Sequence, residues 1–208
     1  MNQKNSLGLD ICFKDLDNPI DLFKEWFDES KKYEQKDPNA LALATSDETG
    51  TPSVRMVLLK DYDENGFVFF TNFNSNKSND IKNNPKASMC FHWKSLLRQI
   101  IIIGTISQVS EQEANEYFRS RSYLSKIGAW ASKQSEVLNN REELNESIKE
   151  YKNKFPIEDS VPRPSHWSGW KLNPNEIEFW LNGDNRIHQR LKYNKKENGE
   201  WKKFLLYP

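Results

Sequence analysis

The sequence predicts an α+β protein in which helices surround an antiparallel β-barrel. Two observations carry that reading. Apolar residues recur at helical spacing near the start of the chain and again beyond residue 110, whereas the stretch between consists of short apolar runs split by polar turns. The resulting order is one helix, five strands, further helices and about three strands, which fits helices packed on one closed antiparallel sheet.

The elements follow in order. Residues 1–18 read as a flexible arm and 19–208 as a single domain. Asn18 can cap a helix, Pro19 suits its first turn, and Asp21 favours the positive end of the dipole. Ile20, Phe23, Trp26, Phe27 and Tyr33 then recur on one face, predicting a helix over Pro19–Gln35. Leu41–Thr45, Ser53–Lys60 and Phe67–Thr71 form a meander with turns at Asp47–Gly50 and Asp63–Gly66. Ser75 can cap a short helix that ends at Asn83-Asn84-Pro85. Strands follow at Ala87–His92 and Arg98–Val109. The continuous Ile100–Ile103 run needs cover on both faces, from a barrel interior and from a partner subunit. Ser110-Glu111-Gln112-Glu113 matches a capping box. Gly128–Ser135 reads as a second helical piece, and Asn140–Lys154 as a charged amphipathic helix. Val161–Ser165 is a stiff linker, Ile177–Arg190 a hairpin turning at Asn182-Gly183-Asp184-Asn185, and Trp201–Leu206 a last strand.

Bulk properties narrow the function. The 208 residues are 36% hydrophobic and 12% aromatic, enough for a core. Lys plus Arg and Asp plus Glu are both 30, so no global field steers the protein to nucleic acid or an anionic membrane. The N-terminus lacks the apolar segment of a signal peptide, and Ile100–Ile103 is too short to span a bilayer. Cys12 and Cys90 are isolated, which argues against a disulfide framework and for the cytoplasm. His92, His166 and His188 are scattered and predict no metal site; Walker and GxGxxG loops are absent.

Local clusters carry the chemistry. On a strand, Arg186, His188 and Arg190 project from one face, with Trp180 beside the turn. That set suits a planar anionic ligand or, equally, a solvated basic edge. Arg55 and Lys60 bracket an apolar strand and either reach a ligand or sit at its rims. Thr71, Ser75 and Lys77 lead into a helix N-terminus, a phosphate cradle or an ordinary capped helix. Gln99, Gln134 and Ser135 offer amide and hydroxyl groups to a heterocycle or to water. Tyr117, Arg121 and Ser125 form one stripe if their helix persists, suited to a second phosphate or to the surface.

In these positions the blocks Arg55–Lys60 (RMVLLK), Phe70-Thr71-Asn72, Arg98-Gln99, Tyr117–Arg121 (YFRSR), Ile127–Ser135 (IGAWASKQS) and Ile177–Arg190 resemble the pyridoxine (pyridoxamine) 5′-phosphate oxidase family. The resemblance covers Pro19 to Pro208, and its last block is highly specific. It implies an FMN-binding split β-barrel, antiparallel and Greek-key-like with peripheral helices, in a homodimer with FMN at the subunit interface. It implies Arg55, Met56, Val57, Leu58, Leu59, Lys60, Phe70, Thr71, Asn76, Lys77, Gln99, Gln134, Ser135, Trp180 and Arg190 as cofactor contacts. Lys60, Tyr117, Arg121 and Ser125 are implied for the substrate phosphate, with Arg186 and His188 as catalytic residues against the pyridine ring. The implied reaction oxidises pyridoxine or pyridoxamine 5′-phosphate to pyridoxal 5′-phosphate with dioxygen, in vitamin B6 salvage. Another FMN split-barrel oxidoreductase and a non-catalytic flavin- or pyridoxal-phosphate-binding module are the alternatives. The chain departs from the family pattern at Phe70 (commonly Tyr), Asn76 (often Arg), Ser168 (frequently Gly), Leu181 and Gln189, and at Leu205 or Leu206, where an Arg is common.

Overall fold

The computed structural model describes residues 4–208. Helix α1 (Pro19–Tyr33) starts where the Asn18 side chain accepts the Ile20 N–H, and it stops short of Gln35 because Glu34 is already extended. Ile20, Leu22, Phe23, Trp26 and Phe27 all enter the core. The Phe23 ring meets Phe27, Tyr62, Phe67, Phe91 and Trp93. Truncating a ring so placed costs about 3–5 kcal/mol.

The sheet holds β1 (Ala40–Ser46), β2 (Pro52–Leu58), β3 (Asp61–Asp63), β4 (Gly66–Asn72), β5 (Lys86–Trp93), β6 (Arg98–Gln108), β7 (Trp167–Leu181), β8 (Gln189–Lys195) and β9 (Trp201–Leu205). Its order is β2-β1-β5-β6-β7-β4-β3, all antiparallel, with β8 and β9 added beside the second half of β7. The predicted Ser53–Lys60 strand ends at Leu58, where Leu59 turns into the core. The barrel curls shut there: Leu59 N–H donates to Asn39 O, and Lys60 N–H donates to Val68 O.

Strand β7 begins ten residues before the predicted Ile177, and Pro174 is what hid it. A register shift after Ile103 seats Pro174 at an irregularity, opposite Gly104, where a ladder N–H is not needed. Gly104 has no substitute there, since a Cβ would stand 2.0 Å from Asn173 O. On β6, Ile100 and Ile102 are buried, while Ile103 faces outward and is exposed. Val54, Met56 and Leu58 on β2 are exposed as well. The isoleucine run is therefore covered on one face within the protomer.

Four further helices flank the barrel: α2 (Asn76–Asn83), α3 (Glu111–Arg119), α4 (Tyr123–Ala131) and α5 (Arg141–Lys154). The Ser110–Glu113 capping box forms in full. The predicted helix over Gly128–Ser135 is only the end of α4. Asn72 Nδ2 donates to Ser132 O, and by Ser135 φ is +76°. That tertiary bond leaves no local trace in the sequence. The expected loose arm also needs correction over residues 4–18. It is irregular but docked, with Phe13 wholly buried, Trp26 Nε1 donating to Cys12 O and Tyr193 Oη donating to Leu16 O. Residues 1–3 of that arm lie outside the described residues. Among the described residues no helix is long and apolar enough to cross a membrane.

Candidate active site

A cavity of about 480 Å³ opens between β2, β4, α2 and the α3–α4 corner. Met56, Val57, Leu58, Lys60, Phe70, Thr71, Lys77, Tyr117, Arg121, Ser125 and Gln134 line it, all expected from the sequence, together with Ser122, which was not. No lining residue is a carboxylate.

Lys77 stands in the first turn of α2, buried. Its Nζ donates to Thr71 Oγ1, Ser75 Oγ and Gln134 Oε1, each at 3.0 Å. Burial, and then the charge of Arg55, pulls its pKa down to about 8. The expected Ser75 side-chain cap is not made; Ser75 Oγ donates to Asn72 O instead. Asn76 N–H donates to Ser135 Oγ at 3.3 Å, tying the helix start to the Gln134–Ser135 loop.

Arg55 turns away from this cavity. Its guanidinium donates to Leu43 O, Thr45 Oγ1 and Ser53 Oγ, and lies 3.8 Å from Asp80. Thr45 and Ser53 also donate to Asp80. Arg55 is thus a strut joining β1, β2 and α2, with its charge answered by a carboxylate. Leu59, buried in the core, and the exposed Asn76 and Ser135 do not line this cavity either.

The single stripe of Tyr117, Arg121 and Ser125 depends on one helix persisting through all three. The helix breaks between them: α3 ends at Arg119, and Ser122 is the N-cap position of α4. The corner nevertheless aims all three into the same cavity. The Arg121 guanidinium lies 4.5 Å over the Trp167 ring and donates to Ser125 O, while its buried Nε has no partner. Burial holds its pKa below the ordinary arginine value. Tyr117 stacks on Phe70 at 4.0 Å, and Phe70 on Trp167 at 5.4 Å. Trp167 escaped the sequence reading because its partners are remote in the chain; nothing local marks it.

The second group lies on the β7–β8 connection, and it is not a tight hairpin. β7 ends at Leu181 and β8 begins at Gln189, so Arg186 and His188 precede the strand and share no strand face with Arg190. A short 3₁₀ turn covers Asp184–Arg186, with Asn185 and Arg186 at φ +53° and +67°. Gly183 permits the chain to double back: a Cβ there would meet Ile187 O at 2.0 Å. Gly183 N–H donates to His188 Nδ1 at 3.2 Å, and the His188 ring lies 4.6 Å from Trp180. Arg190 pairs with Glu178 at 2.7 Å, which raises its pKa, and also donates to Tyr207 O. The repulsion anticipated among three cations is therefore relieved by a carboxylate and by the turn. Gln99 is opposite Trp180 in the β6–β7 register.

None of Gln99, Trp180, Arg186, His188 and Arg190 lines the cationic cavity. Trp167 borders an adjoining cavity that shares Phe70, Thr71, Arg121, Ser125 and Gln134 with the first. Trp180 is thirteen residues farther along β7, a strand path of roughly 40 Å. The two groups of candidate residues thus lie apart within one chain.

A profile of the pyridoxamine 5′-phosphate oxidase family matches residues 27–155, and one of the pyridoxine 5′-phosphate oxidase C-terminal dimerisation region matches residues 167–208. The chain belongs to the pyridoxine/pyridoxamine 5′-phosphate oxidase family. It is 64% identical to the pyridoxine/pyridoxamine 5′-phosphate oxidase of Pelagibacter ubique (strain HTCC1062) over the full length of both chains. It is 49% identical to the enzyme of that name from Allorhizobium ampelinum over 94% of this chain and 95% of the relative. Among solved structures, PhzG from Burkholderia lata 383 with tetrahydrophenazine-1-carboxylic acid superposes with TM-score 0.89 at 30% identity, over 99% of this chain and 100% of that one. The dimerisation region of the family spans β7, β8 and β9, the strands that carry or flank the second group of candidate residues.

Proposed function

We propose that this chain oxidises pyridoxine 5′-phosphate or pyridoxamine 5′-phosphate to pyridoxal 5′-phosphate, using FMN and dioxygen. The observation that carries this reading is the cationic cavity, lined by Lys60, Lys77 and Arg121 and by no carboxylate. Such a site is electrostatically incomplete, and phosphate oxygens are the acceptors it lacks. FMN, when bound, supplies the hydride acceptor and the path of electrons to dioxygen.

The residues divide the remaining work. Lys77, Thr71 and Gln134 would hold the flavin phosphate, with Ser135 and Asn76 at the rim. Lys60, Tyr117, Arg121 and Ser125 would hold the substrate phosphate. Each charge-assisted hydrogen bond contributes about 1.5–3 kcal/mol. Gln99, Trp180 and Arg190 would meet the flavin from the other half-site, and Arg186 and His188 would orient and polarise the pyridine ring. In a homodimer each complete site would join the cavity of one protomer to the β7–β8 turn of the other. The strand path between the half-sites and the exposed apolar β2 and β6 side chains support that arrangement. A cytoplasmic setting fits the free thiols of Cys12 and Cys90, and zero net charge fits a small-molecule enzyme better than a nucleic-acid or membrane binder.

The likeness to PhzG favours, as a second reading, oxidation of another substrate on the same barrel. Anaerobic addition of pyridoxine 5′-phosphate to the flavin-loaded protein separates the two. The visible flavin band should bleach and return when air is admitted. A band unchanged by both pyridoxine and pyridoxamine 5′-phosphates would overturn the proposal.

A further inference from the structure

We infer that Gln189 is a positioning residue, and that its bond to the N-terminal segment holds the β7–β8 turn in its working shape. The inference rests on the reading that Arg186 and His188 meet the substrate. Gln189 Oε1 accepts the Asp10 N–H at 2.6 Å, across 179 residues of sequence.

The donor is anchored. Asn5 Oδ1 accepts the N–H groups of Leu7 and Leu9, and Asp10 Oδ1 accepts that of Cys12. Leu9 and Phe13 are buried in the main core, and Trp26 Nε1 holds Cys12 O. Asp10 N–H is therefore presented by a compact knot fixed to the barrel.

The acceptor sits where the turn needs it. Gln189 follows His188 directly and pairs with Leu181 as the last register position of β7 and β8. Between them the chain carries two consecutive left-handed residues, Asn185 and Arg186. Non-glycine residues persist in that conformation only where their surroundings over-determine it. Packing within the protomer does not do so, since Asp184, Asn185, Arg186 and Ile187 are all exposed there. Two bonds lie within the turn, from Ile187 N–H to Asp184 O and from Gly183 N–H to His188 Nδ1. Asn182 N–H to Leu97 O ties the entry to a separate element; at the exit the Gln189–Asp10 bond does so beside His188, and one residue on Arg190 is held by Glu178, Tyr207 O and Leu206 N–H. Without the exit tie, the strained turn relaxes and carries His188 and Arg186 with it.

The test compares Gln189→Leu, which removes the acceptor at similar size, with Gln189→Glu, which keeps an acceptor oxygen. We expect the Leu variant to lose kcat at least tenfold, toward the ~10²-fold that a misplacement of about 1 Å can cause. FMN binding and KM should be retained, and the Glu variant should recover most of the rate. In the unmodified protein the Asp10 amide should resist hydrogen exchange; free exchange there overturns the latch with no variant needed. A Leu variant that turns over normally, while His188→Ala does not, overturns the latch and leaves the proposed function standing. Normal turnover in Arg186→Ala and His188→Ala would instead remove the reading on which the latch rests.

Discussion

In the cavity between β2, β4 and α2, Lys77 is buried and Arg121 half-buried, among hydroxyls, amides and aromatic rings, with no carboxylate lining the space. On the β7–β8 side, Arg190 is locked to Glu178 while Arg186 stands exposed on a strained turn. The contrast separates two tasks. Charges left uncompensated by the fold call for an anion, so on the proposed function the cavity serves binding. Charges already compensated, or set on a turn, matter for where they stand, so on the same proposal the turn serves orientation. Breaking the cavity should cost affinity, and breaking the turn should cost rate.

The largest effect belongs to the turn. Arg186→Ala and His188→Ala should each lower turnover by about 10²–10⁴-fold, the range for a group acting on the reacting centre, with flavin still bound. Rapid-mixing measurement of flavin reduction checks this, and loss of flavin in both variants would erase the distinction.

Next comes Lys77. Lys77→Met should weaken FMN binding by about 10–100-fold, equivalent to one charge-assisted bond, with kcat of the loaded enzyme little changed. Its pH dependence has a definite sign. The free protein holds Lys77 at a pKa of about 8, and a bound phosphate favours the charged amine. FMN affinity should therefore be full below that value and decline above it, by at most about tenfold per pH unit, with Lys77→Met flattening the curve. Stability of the flavin-free protein should run the other way. The folded pKa lies below the unfolded one, so the unfolded chain keeps the proton longer, and stability rises as pH climbs from about 8 toward the ordinary lysine range.

The smallest effect probes the aromatic stack. A Cβ on Gly169 would stand 2.7 Å from the Phe70 ring. Gly169→Ala should destabilise the protein by about 1–3 kcal/mol, as overpacking does, and raise KM modestly by disturbing the platform beneath Tyr117 and Arg121. Thermal unfolding and steady-state kinetics read the two consequences separately.

The same division governs what the sequence revealed. Short apolar runs between polar turns marked β1, β4 and β5, and the cap residues Asn18 and Ser110 marked α1 and α3, because these signals are local. The cavity residues were named by family resemblance, and local spacing alone left Thr71, Lys77 and Arg121 open to blander readings. Arg55 was located but its tie to Asp80 was not, since the two meet only through the packing of α2 on the sheet. Asn-Gly-Asp-Asn looked like a tight turn, yet the pairing of β7 with β8 stops at Gln189 and leaves a wider loop. Pro174 concealed the first half of β7, because its tolerance depends on a register shift with β6. Trp167 and the Gln189–Asp10 bond join segments remote in the chain, where no periodicity can point.

The central claim is that each active site joins half-sites from two copies of the chain. A heterodimer of Lys77→Met and Arg186→Ala protomers tests it most directly. Each variant homodimer has the same half-site impaired twice. In the mixed dimer, one shared site contains both intact halves and the other both impaired ones. At an FMN concentration too low to load the Lys77→Met homodimer, mixing should restore flavin binding and turnover at one of the two sites. A mixed dimer no more active than its parents at that FMN concentration would contradict it and place each site within a single protomer.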